Sequence, residues 1–153
     1  EFIQAPGTLD GGDVLRVGKR LYVGLSTRTN RAAMEQLRSI VLPYGYDVSP
    51  VSMHGGLHLK SGVTCVGENT LLICRDWVDA RAFEARRLIE VDPGEPSAAN
   101  ALLVGTDVLY PSAFPKTKLI LEAHGIRPHT VDASELAKAE GGLTCCSLIF
   151  AVD

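Results

Sequence analysis

The feature that most constrains the fold is a segment that occurs three times along the chain. Each copy has a short apolar run, a Val-Gly step and a second apolar run. The copies are residues 14–23, 63–73 and 101–110. Because glycine adopts a positive φ without strain, Gly18, Gly67 and Gly105 predict tight turns between two β-strands. Spacings near forty residues are typical of units that are stacked or arranged around an axis.

A helix-like stretch and a further extended run follow each hairpin. The predicted helices are residues 29–40, 79–86 and 113–124, and the extended runs are residues 46–51, 88–91 and 126–131. Asn30 or Thr29 is predicted to cap the first helix, Asp79 to cap the second, and Gly125 to end the third. The chain therefore predicts an α/β fold made of strand–strand–helix–strand units.

The unit boundaries follow from the repeats. One domain, residues 1–153, is expected to contain units at residues 8–54, 55–96 and 97–153. In the last unit, a short helix at residues 134–138, capped by Ser134, is predicted to precede a final strand at residues 144–150. The stretch from Pro93 to Pro96 is interpreted as a connector between units.

Composition excludes several classes of protein. The chain has 153 residues, of which 46% are hydrophobic and 22% are charged, and this is ordinary for one globular domain. A net charge of −3 and an aromatic content of 6% argue against nucleic acid or an anionic membrane as partner. No apolar run approaches the roughly 18 residues that would predict a membrane span.

The cysteines and the first residues indicate the cellular context. Four cysteines are too few for a disulfide-stapled scaffold, and Cys145 and Cys146 are adjacent, so we expect a reduced, cytoplasmic environment. The start at Glu1 lacks the features of a signal peptide and has no Met. The chain is therefore expected to be processed or to be part of a longer protein.

Two glycines lead into the paired cysteines. Because adjacent strand residues point to opposite faces, one cysteine can face a cavity while the other joins the core. Cys145 is the better candidate for the cavity, and Cys146 for the core. The alternative is that both are small core hydrophobes, which is common for free cysteine.

His58 is the candidate partner of a cysteine. Leu57 and Leu59 alternate around it, which predicts that His58 points to the opposite face of a strand. An imidazolium near a thiol lowers the thiol pKa and so favours the nucleophilic thiolate. Two alternatives remain: a solvent-facing strand histidine, or a weak metal site formed with His54.

Charged residues stand near the ends of the first hairpin. Asp10 and Asp13 flank two glycines, and carboxylates in such a place suit a cationic planar group, although a simple turn also favours these residues. Arg28 lies where a strand passes into a helix. Its guanidinium can clamp a substrate carboxylate, or it can be a solvated charge at a helix start.

Five short motifs occur in one order that resembles a known enzyme family. They are Leu9-Asp-Gly-Gly-Asp-Val-Leu15, Val23-Gly-Leu-Ser-Thr-Arg-Thr-Asn30, Leu57-His-Leu-Lys-Ser61, Ser97-Ala-Ala-Asn100 and Leu143-Thr-Cys-Cys-Ser147. The chain is similar to the dimethylarginine dimethylaminohydrolases, within the guanidino-group-modifying enzymes. The resemblance implies a pentein-type α/β propeller of five ββαβ units, three of which would be present here as the C-terminal three-fifths.

The resemblance also implies residue roles. Cys145 matches the nucleophile, His58 the general acid/base and Asp10 the acid that holds the guanidinium. Arg28 matches a residue that binds the substrate α-carboxylate, and the backbone carbonyl of Ala139 matches an acceptor for the substrate amino group. The implied reaction hydrolyses Nω-methylated arginine to citrulline and dimethylamine through a covalent thiouronium, without metal or organic cofactor.

Several rival functions share parts of this pattern. Arginine deiminases and amidinotransferases use the same cysteine, histidine and acid with a different leaving group or acceptor. A non-enzymatic propeller or an inactive fragment would share the architecture without the reaction. The expected partner is a small guanidino substrate, with a homodimer left open.

Overall fold

The structure is a computed structural model that describes residues 1–150. The strands are β1 (Val14–Val17), β2 (Arg20–Leu25), β3 (Asp47–Ser52), β4 (Val63–Gly67), β5 (Thr70–Ile73), β6 (Arg87–Glu90), β7 (Leu102–Val104), β8 (Asp107–Pro111) and β9 (His129–Val131). The α-helices are α1 (Arg31–Val41), α2 (Leu59–Gly62), α3 (Pro115–Ala123) and α4 (Ser134–Lys138). Short 3-10 turns cover Gly11–Asp13, Leu42–Tyr44, Ala80–Phe83 and Pro96–Ala99. The last three residues of the predicted third unit, 151–153, lie outside the described residues.

The strands form three separate mixed sheets with one common topology. Their orders are β1-β2-β3, β4-β5-β6 and β7-β8-β9. In each sheet the first two strands are an antiparallel hairpin, and the middle strand pairs in parallel with the third. A parallel pair needs a crossover connection, which α1 and α3 supply in the first and third sheets. The predicted α/β class is confirmed.

The hairpin glycines behave as predicted in two of the three sheets. Gly18 has a φ of +60° and Gly105 a φ of +62°, and both begin the turn between their strands. Gly67 does not: it is the last residue of β4 and pairs with Thr70. The tight turn predicted for this hairpin is present, but it lies one residue later, at residues 68–69, where the register shifts at a bulge between Cys65 and Gly67.

The predicted helix boundaries are confirmed where a local cap decides them. The Asn30 side chain accepts a hydrogen bond of 2.9 Å from the Ala33 N–H, so that Asn30 is the N-cap of α1. Gly125, with a φ of +84°, follows α3 and ends it.

Two helix predictions need correction. The predicted helix at 79–86 is only the 3-10 turn Ala80–Phe83, although Asp79 does cap it by accepting from the Arg81 N–H. The helix at 134–138 is present, but Ser134 is not its cap. Its own N–H donates to the Asp132 side chain at 2.9 Å, so that the acceptor belongs to the preceding loop.

The predicted final strand at 144–150 is wrong. Residues 143–146 form a turn, in which the Cys145 N–H donates to the Gly142 carbonyl at 3.1 Å. Within residues 1–150 no strand pairs with this segment, and an apolar run without a ladder partner has no reason to stay extended.

The core lies between neighbouring sheets. One buried cluster joins the first and second sheets, with Tyr22 and Phe83 rings 4.6 Å apart between centroids. Another joins the second and third sheets around Leu72 and Tyr110. This packing brings the loops at the strand ends of adjacent sheets together. None of the helices described for residues 1–150 is both long and apolar enough to cross a membrane.

Candidate active site

Asp10 and His58 are in contact. Asp10 caps the 3-10 turn Gly11–Asp13, where its Oδ1 accepts from the Gly12 N–H at 2.9 Å, and its own N–H donates to Thr29 Oγ1 at 3.0 Å. These bonds aim Oδ2 at His58 Nε2, 3.1 Å away. The two atoms are within hydrogen-bond distance, but their alignment is poor, because Nε2 has no correctly oriented partner among the described residues.

The Asp10 carboxyl is adapted to stay ionised. Its pKa lies below the ordinary value, chiefly because the Gly12 N–H donates to the carboxylate, with His58 and Arg28 adding favourable charge and partial burial opposing them. A carboxylate in this state can hold a cation or orient an imidazole.

The backbone around His58 is fixed by close packing. A Cβ built on Gly12 would lie 2.5 Å from His58 Cγ, so that only glycine allows the imidazole to rest on this turn. The side chain of His58 is 14% exposed. His58 precedes α2, and its predicted position in a strand is wrong, because Leu59 is buried at the start of a helix while Leu57 is exposed.

Asp13 has a structural task. It is fully buried, its Oδ1 accepts from the Leu59 N–H at 2.9 Å, and its Oδ2 accepts from the Ser26 hydroxyl at 2.7 Å. Asp13 is therefore occupied by the protein, and only Asp10 of the two predicted carboxylates is left for a cationic group. The buried carboxylate therefore connects residues 57–60, called the His58 segment below, to Ser26 at the end of β2.

Arg28 lies in the exposed link between β2 and α1. Its N–H donates to Ser26 Oγ at 3.0 Å, which fixes the backbone, and its guanidinium is near enough to Asp10 to lower the pKa of that carboxyl. The structure therefore places Arg28 on the same side as the Asp10–His58 pair.

Cys145 lies on the exposed turn at residues 143–146 and lines a cavity of about 620 Å³. Leu57, the neighbour of His58, and Trp77 line the same cavity. Cys145 thus borders a space that reaches the residue before His58, whereas His58, Asp10 and Arg28 are not among the described residues that line it. Cys146 is also exposed, so that its predicted place in the core is wrong, because the turn does not separate the two side chains as a strand would.

Ala139 directly follows α4 and is exposed. Ala137 and Glu140 line the Cys145 cavity, which brings the backbone near Ala139 to its rim.

The remaining candidates lie elsewhere. His54 lines a different cavity beside Asp79, so that it does not share the surroundings of His58. Burial raises the pKa of the Cys65 thiol to about 11, and Cys74 is buried. Both therefore behave as core thiols.

Sequence reasoning missed the groups that hold the site together. Glycines beside two carboxylates suggest room for a ligand, whereas the group that approaches Gly12 is His58. Asn100, in a motif without an assigned role, bonds to both sides of the site. In the sequence, the one indication of this role is a polar residue between two alanines, Ala99 and Ala101, which are typical of a buried segment.

Comparison with known proteins places the chain among its relatives. It is 37% identical over 150 residues to the N(G),N(G)-dimethylarginine dimethylaminohydrolase of Pseudomonas aeruginosa, covering 98% of this chain and 59% of that protein. The enzyme of the same name from Streptomyces coelicolor is 40% identical over 147 residues, covering 96% of this chain and 56% of that protein. The chain is a homologue of the dimethylarginine dimethylaminohydrolases. It spans less than two thirds of the length of these relatives.

Solved structures agree with the sequence comparison. The Pseudomonas aeruginosa enzyme, as a Cys→Ser variant complexed with citrulline, superposes with a TM-score of 0.89 at 36% identity, covering 97% of this chain and 58% of that one. An amidinotransferase from Microseira wollei has a TM-score of 0.83 at 17% identity, covering 93% of this chain and 47% of that one, and so shares the fold. No protein-family model matches the chain.

Proposed function

We propose that the protein containing this chain hydrolyses Nω,Nω-dimethylarginine to citrulline and dimethylamine. The observation that carries the proposal is the Asp10–His58 pair next in the chain to Leu57, which lines the same cavity as the exposed Cys145. Relatives that share 37% and 40% of the sequence bear the name of this activity. The solved complex of one relative contains citrulline, the proposed product.

In the proposed substrate site, groups of opposite charge bind the two ends of the substrate. A guanidinium carbon is a poor electrophile, and Asp10 holds the planar cation in line with the nucleophile. Arg28 binds the α-carboxylate at the other end of the substrate by paired hydrogen bonds. The carbonyl of Ala139 accepts from the substrate amino group.

The proposed chemistry has two halves. The Cys145 thiolate attacks the guanidinium carbon, and His58 donates a proton to the leaving dimethylamine, because an amide anion cannot leave at neutral pH. The covalent thiouronium that remains is attacked by water. His58 takes a proton from this water, the carbon–sulfur bond breaks, and citrulline and the free thiol are formed. The residues themselves supply every proton transfer.

We further propose that this chain is three of the five units of a pentein propeller, with boundaries at residues 8–54, 55–96 and 97–153. Three observations support it: the common topology of the three sheets, the TM-score of 0.89, and the coverage of 59% of a relative. Two further units would complete the group of acids around the guanidinium. A cytoplasmic location and a homodimer stay predictions.

The test is an assay of the longest form of the protein that the gene encodes, beside the 153-residue chain. Incubation with dimethylarginine should release citrulline and dimethylamine in equal amounts. Release of ammonia from arginine would instead identify a deiminase, and transfer of the amidino group to an added amine would identify an amidinotransferase.

The 153-residue chain alone is the matched comparison. We expect it to form no measurable citrulline and to self-associate on size-exclusion chromatography, because the apolar flanks of an open propeller are uncovered. A monomeric short chain with full turnover would contradict the proposal of missing units.

A further inference from the structure

We propose that Asn100 is a positioning residue that seats the Cys145 turn against the His58 segment. The inference rests on the proposed function, since it concerns how the turn with Cys145 and the segment with His58 are held close enough to act on one substrate. Asn100 directly follows the 3-10 turn Pro96–Ala99 and is 9% exposed.

The amide of Asn100 bonds to both halves of the site. Its Nδ2 donates to the Lys60 carbonyl at 3.0 Å and to Thr144 Oγ1 at 2.9 Å, which accounts for both of its hydrogens. Its Oδ1 accepts from the Thr144 N–H at 3.2 Å. Lys60 is two residues after His58, and Thr144 precedes Cys145. The planar amide of Asn100 therefore joins the Cys145 turn to the His58 segment.

The backbone that carries this amide is fixed on both sides. Thr64 Oγ1, in the buried part of β4, donates to the Ala99 carbonyl at 2.5 Å and accepts from the Ala101 N–H at 3.0 Å. Asn100 lies between these two anchors. The amide is therefore held by a core strand.

The turn fits closely onto the amide. A Cβ built on Gly142 would lie 2.6 Å from Asn100 Cγ, so that the backbone at Gly142 packs directly against the amide. The carbonyl of Gly142 then accepts from the Cys145 N–H at 3.1 Å. The position of the thiol follows from the position of this turn.

Besides Asn100, the buried side chain of Leu143 anchors the start of the turn. The thiol end is less restrained: Cys145 and Cys146 are exposed, and the Ser147 hydroxyl bonds only back to the Leu143 carbonyl of the turn, at 2.8 Å. In the part of the chain that the structure describes, the hydrogen-bonded connection between the turn and α2 runs through the Asn100 amide, which bonds to Thr144 on one side and to Lys60 on the other. Loss of this amide should therefore displace the thiol while leaving His58 in place.

The experiment uses the longest form of the protein in a Cys146→Ser background, so that Cys145 is the remaining reactive thiol of the turn. Asn100→Asp keeps the shape and the acceptor for the Thr144 N–H but removes both N–H donors. Thr144→Val removes the hydroxyl acceptor, and Thr144→Ser, which keeps it, is the conservative control. The readouts are kcat and KM for dimethylarginine, and the pH profile of Cys145 alkylation by iodoacetamide, followed by peptide mass spectrometry.

A misplaced nucleophile lowers kcat without weakening binding at Arg28 and Asp10. We expect Asn100→Asp to lower kcat roughly 10- to 100-fold with little change in KM. We also expect the pH profile of Cys145 alkylation to differ from that of the wild type in Asn100→Asp and in the uncharged Thr144→Val, because the turn that carries the thiol is displaced. Thr144→Val should show a smaller loss in kcat of the same kind, and Thr144→Ser should restore the wild-type rate.

A merely structural role would lower Tm and leave these readouts unchanged, which overturns the proposal. If Asn100→Asp does not fold, equal kcat values and alkylation profiles for Thr144→Val and Thr144→Ser overturn it as well. If the wild-type protein forms no citrulline but Asn100→Asp shifts the alkylation profile, the proposed function fails and the positioning role stands.

Discussion

His58 is mostly buried against the turn Gly11–Asp13, whereas Cys145 is exposed to solvent. The histidine rests on Gly12, and its neighbour Leu59 bonds to the buried Asp13. The turn at residues 143–146 has two hydrogen bonds to one amide, that of Asn100, which donates a third to the Lys60 carbonyl. The general acid/base is thus held by close packing, whereas the turn with the nucleophile is held mainly through hydrogen bonds to one side chain.

This difference has a consequence for mutational effects. Changes around His58 disturb buried groups and should alter stability and turnover together, since interiors are close-packed. Changes at Cys145 and Cys146 should alter turnover or nothing, with little effect on stability, because these two side chains are exposed.

The largest expected effect is that of the nucleophile itself. Cys145→Ser should lower kcat by roughly 10⁴-fold or more while leaving Tm within a few degrees, because a serine hydroxyl has no thiolate to contribute. Cys146→Ser is the matched control one residue away and should retain nearly full turnover. Citrulline formation and thermal unfolding measure both. Equal losses in two folded variants would reject the assignment of Cys145.

The next effect tests the turn beneath His58. Gly12→Ala places a Cβ less than 3 Å from three atoms of the His58 ring, so that the imidazole must move. We expect a fall in kcat of roughly 10²-fold and a loss of about 1–3 kcal/mol in the free energy of unfolding.

Gly11→Ala is the control for this change, because its Cβ would meet nothing within 4 Å. The two variants have the same chemistry and lie in the same turn. Similar kcat values for Gly11→Ala and Gly12→Ala would show that the fit between His58 and the turn does not matter.

Local rules predicted much of this fold. The positive φ of Gly18 and Gly105 and the cap at Asn30 depend on residues within one turn of the chain, so that their chemistry is visible in the sequence. The contact of Asp10 with His58 was expected only from the resemblance, which brings together motifs that lie far apart in sequence.

What could not be predicted depends on partners distant in sequence. The register shift before Gly67 is a property of a strand pair, and the run from Thr144 to Phe150 has strand composition but no partner strand in the described part. The task of Asp13 is decided by the N–H of Leu59, 46 residues away. Nothing in a turn-forming Asp-Gly-Gly-Asp sequence distinguishes its two carboxylates.

A smaller effect should come from Asp13, the buried carboxylate that connects the His58 segment to Ser26. Asp13→Asn replaces an acceptor by an amide, which must turn one N–H toward the Leu59 N–H or the Ser26 hydroxyl. We expect a loss of about 1.5–3 kcal/mol in the free energy of unfolding and a moderate fall in kcat. Exposed Asp76→Asn is the control, expected within about 0.5 kcal/mol of wild type. Denaturant unfolding compares them, and equal stabilities would reject this connection.

The smallest expected effect concerns the charge on Asp10. Its pKa is lowered in the folded protein, so that its ionised form stabilises the fold above the ordinary carboxyl pKa near 4, and this contribution is lost as pH falls through the lower folded value. Asp10→Asn keeps an oxygen to accept from the Gly12 N–H and removes only the charge. Because the side chain is 36% exposed, the resulting difference in Tm should be a few degrees at most. It should shrink as the pH falls from 5 toward 3, and a difference that grows over this range would reverse the assigned direction of the pKa shift.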